Sequence, residues 1–114
     1  MPKDLLDRFL RPLREGPVTR AYPDRAATLP PAARGLPEVD PARCDASGVC
    51  ATACPTGAIV LAPGALTVDA GRCVFCGACA EACPRGAIRL GGRIELAART
   101  RDGLRITTAT ERPR

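Results

Sequence analysis

Cys44–Pro55 reads CDASGVCATACP, and Cys73–Pro84 reads CVFCGACAEACP. The second stretch starts 29 residues after the first, and the two align without a gap. Cys44, Cys50, Cys54 and Pro55 fall on Cys73, Cys79, Cys83 and Pro84, while Ser47 stands where the second copy has Cys76. The match runs on past the cysteines. CPTGAIVL and CPRGAIRL lay Gly57 on Gly86, Ala58 on Ala87, Ile59 on Ile88 and Leu61 on Leu90. A repeat of this period with matched turn residues implies a duplicated unit and two half-domains related by a pseudo-twofold axis.

Each copy opens with a cysteine loop, and VCATA or ACAEA then suits one helical turn. Strands are predicted around 58–61 and 66–69, joined by a turn at Pro63-Gly64. A second pair is predicted around 87–90 and 93–96, joined at Gly91-Gly92.

The cysteines carry the chemistry. Copy two is Cys73-x2-Cys76-x2-Cys79-x3-Cys83-Pro84, a spacing that suits iron–sulfur ligation, with the fourth cysteine serving the other of two clusters. Crossing over the fourth cysteines gives one site of Cys73, Cys76, Cys79 and Cys54. The other has Cys44, Cys50 and Cys83, with Ser47 as a fourth ligand or a vacant corner. Three thiolates suit a [3Fe–4S] cluster; a [4Fe–4S] cluster there would take its last ligand from Ser47, Asp45 or water. Drift at Ser47, with the second cluster lost, is the bland alternative. Three retained thiols argue against it, since exposed unused thiols are oxidation hazards. Gly77, Ala78 and Ala80 are small enough for backbone amides to approach a cluster, which tunes its potential. Zinc shares the CxxC spacing but often recruits histidine, and the chain has none.

Composition is consistent with a chain that relies on a staple. It has 114 residues and only three aromatic ones, Phe9, Tyr22 and Phe75. A domain this small and poor in aromatics is hard to stabilise by apolar burial alone. Its seven cysteines are an odd number, which does not close into disulfides. Asp4 and Asp7 interrupt the apolar run near the N-terminus, so it is not read as a secretory signal, and no run is long enough for a membrane span. The expected compartment is the reducing cytoplasm.

Two flanks surround the repeat, giving three expected segments: 1–40, the two-cluster domain 41–96 (repeats 44–61 and 73–90), and 97–114. In the first, Leu5, Leu6, Phe9, Leu10 and Leu13 share one side of an amphipathic helix that Pro12 should kink or stop. That helix either folds back on its own domain or docks on a partner or a membrane surface. Eight of the twelve prolines lie within residues 1–41, which makes the segment after the helix an extended arm. Residues 97–114 carry five arginines against Asp102 and Glu111 and are expected to be a short basic tail. The net charge is +5, but the tail has no aromatic residue for stacking on bases, so nucleic acid is not an expected partner.

At the cysteines the chain resembles the two-cluster, bacterial-type ferredoxins over about residues 38–96. That resemblance implies an α+β fold, the duplicated βαβ bacterial ferredoxin fold, with the clusters between the halves. The incomplete copy looks like the half that carries a three-iron cluster in seven-iron ferredoxins. GPVTRAYP (16–23), RGLPEVDPARC (34–44) and IELAARTRDGL (94–104) extend the likeness. With the cluster pair they resemble the iron–sulfur subunit of membrane-bound [NiFe]-hydrogenase and formate hydrogenlyase complexes. That subunit is related to the two-cluster subunit of respiratory complex I. Complete members of that family supply eight cysteines, so Ser47 is a departure. The resemblance implies a non-catalytic electron relay, with other subunits of a redox complex as partners through residues 1–40 and the tail. It also implies a place in the cytoplasm or on the cytoplasmic face of a membrane. No acid–base pair, nucleophile or phosphate loop argues for an enzyme. The alternatives are a free soluble ferredoxin, which the basic charge disfavours, and a structural or oxygen-sensing iron–sulfur module.

Overall fold

In the computed structural model, residues 3–110 are described. The last four residues of the expected basic tail and the first two of the chain lie outside them. The element order is α1 (Lys3–Glu15), β1 (Pro37–Val39), α2 (Val49–Ala53), β2 (Ile59–Ala62), β3 (Ala65–Asp69), α3 (Ala78–Ala82), β4 (Ile88–Leu90), a 3-10 turn (Arg101–Leu104) and β5 (Arg105–Ala109). The cysteine-bearing helices are VCATA and ACAEA, as the repeat implies. Each is only five residues long because it begins after a left-handed glycine, Gly48 or Gly77, and ends at the cysteine before a proline.

The two halves are β1–α2–β2 and β3–α3–β4. They interlock, because β1 pairs antiparallel with β4 and β2 with β3. The 29-residue symmetry reaches single hydrogen bonds. Asp40 N–H donates to Ala87 O and Asp69 N–H to Ala58 O, both at 2.7 Å. The carboxylates of the same two aspartates accept from Ala42 N–H (3.0 Å) and Gly71 N–H (2.9 Å). Ala46 and Phe75, again 29 apart, share a left-handed φ of 55°. The structure is thus an α+β duplication of a βαβ unit. Its core is Ile59, Leu66, Val68, Cys79 and Ile88, and Cys44, Cys50, Cys54 and Cys83 pack against it. Leu66 and Val68 are each 1% exposed. Burial of such side chains stabilises by about 1.5–3 kcal/mol each.

Four sequence expectations are corrected here. Residues 93–96 form no strand. The chain after Gly91 instead bonds to the arm: Leu36 N–H donates to Arg93 O at 2.7 Å and Gly91 N–H to Leu36 O at 3.0 Å. The partner of β4 is therefore β1, and β1 lies inside the segment read as an external arm. Leu36 is 5% exposed, so the folded domain begins before residue 41. The basic tail is not free either: β5 pairs along the whole of β3, from Ala65↔Ala109 to Asp69↔Arg105. Its alternating pattern places Ile106 and Thr108 inward and Arg105 and Thr107 outward, and Thr67 and Thr107 join hydroxyls at 3.0 Å. Finally, Pro12 does not stop α1, which runs three residues past it to Glu15. The chain as a whole is elongated, with a radius of gyration of 20.6 Å against about 13 Å for a compact chain of this length.

Gly35 is a place where the arm presses tightly on the domain's backbone. A Cβ there would run into the carbonyl oxygen of Gly91 and lie 2.6 Å from that of Arg93, both of them backbone atoms. Gly35→Ala is expected to destabilise by about 1–3 kcal/mol, read as a lower urea midpoint with an unchanged slope. An unchanged midpoint would mean that the arm is not held at this point.

Candidate iron–sulfur centres

Two cavities flank the core. One is lined by Cys73, Cys76 and Cys79 from the second repeat and by Cys54 from the first, with Pro37, Ala58, Ile59, Val68, Phe75, Gly77 and Leu90. The other is lined by Cys44 and Cys50 from the first repeat and Cys83 from the second, together with Asp45, Ser47, Leu61 and Leu66. The crossing arises from the fold. Cys54 and Cys83 end α2 and α3, and the two helices pack side by side, so each last cysteine meets the other half's cavity.

The local backbone explains the spacing. The left-handed pair Ala46 and Gly48 in one loop, Phe75 and Gly77 in the other, curls each loop around its cavity. A Cβ on Gly77 would make ordinary contact with Leu90 at 3.5 Å, and on Gly48 with Leu61 at 3.7 Å, so it is the left-handed φ and not crowding that favours glycine at both. Among the described residues, no three His, Cys, Asp or Glu side chains converge on a single-ion position. Each group of thiols lines a cavity, which is the setting a multi-atom cluster requires.

The electrostatics favour thiolates at the crossing cysteines. Burial pushes the Cys54 thiol up, but the Thr56 hydroxyl (3.6 Å) and the Ala58 N–H (3.3 Å) outweigh it and bring the thiol below its ordinary range. Burial raises Cys83 too, and again the N–H of Ala87, at 3.3 Å, with those of its neighbours, brings it down. Cys50 and Cys79 go the other way: burial dominates and pushes both thiols up, against the N–H groups of Ala51 and Ala80. A cluster bound there would supply the positive iron charge that keeps them ionised. The donor set therefore fits iron–sulfur ligation.

Ser47 is exposed on the rim of the three-cysteine cavity. Its N–H donates to Asp45 Oδ1 at 3.1 Å, and its hydroxyl and N–H together hold the Asp45 carboxyl below the usual carboxylate range. A hydroxyl thus stands where the complete site has Cys76, with the Asp45 carboxylate on the same cavity. The sequence reading named the seven cysteines and Ser47, and each lines one of the two cavities. It missed Asp40 and Asp69, which organise the turns into Cys44 and Cys73; their 29-residue spacing was the available signal. It also missed Thr56 and Arg34. The guanidinium of Arg34 donates to the Cys76 carbonyl at 2.9 Å across 42 residues, a contact no local pattern reveals.

Family models described as "4Fe-4S binding domain" match residues 36–59 and residues 66–89, one per repeat. The first match takes in β1. No curated protein sequence matches the chain. Among solved structures, the chain is similar to one in the membrane-bound sulfane sulfur reductase, an archaeal respiratory membrane complex. The TM-score is 0.67 and the identity 26% over 90% of this chain. This chain spans only 57% of that one. Two 4Fe-4S binding domains, one on each half of a duplicated ferredoxin-like fold, support iron–sulfur clusters and an electron-transfer role for this chain.

Proposed function

We propose that the chain is the electron-relay subunit of a larger redox assembly of the hydrogenase-like or complex I-like kind, and is itself non-catalytic. The observation that carries this reading is the likeness to a subunit of a respiratory membrane complex, which spans 90% of the chain and so reaches well beyond the cluster domain. Helix α1 agrees with it. Leu5 and Leu6 are about half exposed, and Phe9 and Leu13 are 76% and 81% exposed, so the apolar side of α1 is not used against its own domain. Such a face is the expected form of a segment that other subunits cover. No helix among the described residues is long and apolar enough to cross a membrane, so contact with a membrane would run through the assembly, on its cytoplasmic face.

The residues take these roles. Cys73, Cys76, Cys79 and Cys54 would hold a [4Fe–4S] cluster. Cys44, Cys50 and Cys83 would hold a second cluster, either [3Fe–4S] or a [4Fe–4S] completed by Ser47, Asp45 or solvent. Each bound cluster supplies a one-electron site. The protein binds it through thiolates, orients it with the left-handed loops, and keeps water out with Leu66, Val68, Ile59 and Ile88. Backbone N–H groups directed at Cys54 and Cys83 draw charge from those thiolates, which raises a cluster's potential.

The test uses the full chain in its native host. Phe9→Ser combined with Leu13→Ser is expected to leave iron and sulfide content unchanged and to abolish copurification with large partner subunits. Undiminished copurification would overturn the docking role of α1. A free carrier would show no stable partner with or without the substitutions.

A further inference from the structure

We infer that Arg34 is a potential-setting residue for the complete cluster alone. This rests on the proposed assignment of that cluster to Cys54, Cys73, Cys76 and Cys79. Arg34 lies on the arm just before β1, and its Nη1 donates to the carbonyl oxygen of Cys76 at 2.9 Å. Cys76 is the one cysteine of the seven that is exposed. The guanidinium therefore stands at the corner where the complete site is most open to water. Reduction of a cluster adds one electron and makes it more negative. A fixed positive charge beside it stabilises the reduced form and raises the reduction potential.

The duplication supplies an internal control. Counting 29 residues on from Gly35, Asp40 and Cys44 lands on Gly64, Asp69 and Cys73, so Arg34 corresponds to Pro63. Proline has no side-chain donor, so the other site has no counterpart of this contact. A positive charge at one centre and not at the other separates the two potentials. Arg34 is exposed, so its influence is screened by salt. Gly35, the next residue, is wedged against the backbone of Gly91 and Arg93. The charge is therefore held in place by the same segment that leads back to the docking helix.

The experiment is protein-film voltammetry of the full chain, with iron and sulfide analysis and EPR to assign each wave, on wild type, Arg34→Gln and Arg34→Lys. The result expected for Arg34→Gln is a negative shift of the complete cluster's midpoint at low ionic strength, a smaller shift at 1 M salt, and no shift of the Ser47-side cluster. Arg34→Lys keeps the charge and should restore most of the wild-type value. An unmoved midpoint in Arg34→Gln with both clusters loaded overturns the inference. Equal shifts in both clusters, or an Arg34→Lys midpoint as low as that of Arg34→Gln, overturn it as well, because they would report a structural effect. Failure of the underlying assignment looks different: wild-type protein would lack a four-iron signal that depends on Cys54.

Discussion

Cys54→Ala is expected to abolish the intact four-iron cluster of the second repeat, although Cys54 belongs to the first. Cys54 closes α2 and lines the same cavity as Cys73, Cys76 and Cys79. Its thiol is also set up as a ligand, held below the ordinary range by the Thr56 hydroxyl and the Ala58 N–H against the effect of burial. Alanine removes one of the four thiolates and leaves those hydrogen-bond donors without a partner. The expected readout is loss of the reduced four-iron EPR signal, with about four fewer irons per chain if the cluster is shed whole. The signal of the Ser47-side cluster should persist. Selective loss of that other signal would show that ligands do not cross between the repeats. Cys83→Ala is the reciprocal substitution, since Cys83 ends α3 but lines the cavity of Cys44, Cys50 and Ser47.

Ser47→Cys is expected to change the nuclearity of the other centre. The loop around Ser47 copies the loop around Cys76, with Ala46 and Phe75 at the same φ of 55° and Gly48 and Gly77 both left-handed. A cysteine at 47 therefore finds the backbone of a ligand position already built. If the native site holds three irons, the oxidised wild-type protein is paramagnetic. The substitution should then erase that signal and add about one iron per chain. The potential of this centre should fall as a thiolate replaces a vacant or oxygen-bearing corner. If the native site is a cubane completed by oxygen, the oxidised wild type is EPR-silent with about eight irons. Ser47→Ala and Asp45→Asn would then tell which oxygen is bound, because only loss of the true ligand lowers the iron content. A spectrum unchanged by Ser47→Cys would mean that residue 47 does not face a cluster.

Much of the cluster domain was legible because the chemistry is written in local spacing. A ligand run of thiolates needs fixed intervals, and its tight turns need glycine or a left-handed residue at fixed places. The repeat therefore located α2, α3, β2, β3 and β4. The ligand spacing also implied a crossing of Cys54 and Cys83 to opposite halves, and each of the two lines the other half's cavity.

The strand expected at 93–96 shows where local reading stops. Gly91-Gly92 is a sound hairpin signal, but a turn only forms a hairpin if no other strand claims the edge. Here β1 does, and Pro37↔Leu90 to Val39↔Ile88 fill the register. Strand β5 makes the same point from the other end. RITTA has little apolar content, and its alternation gains meaning only where the open edge of β3 supplies backbone partners. The sequence alone determined a duplicated, thiolate-rich core with one asymmetric corner at Ser47, because ligand and turn positions are local. Tertiary structure alone decided that the arm enters as β1, that β5 completes the second sheet, and that Arg34 reaches Cys76. Those are pairings between residues 36 to 53 positions apart, set by which edges and carbonyls the folded core leaves open.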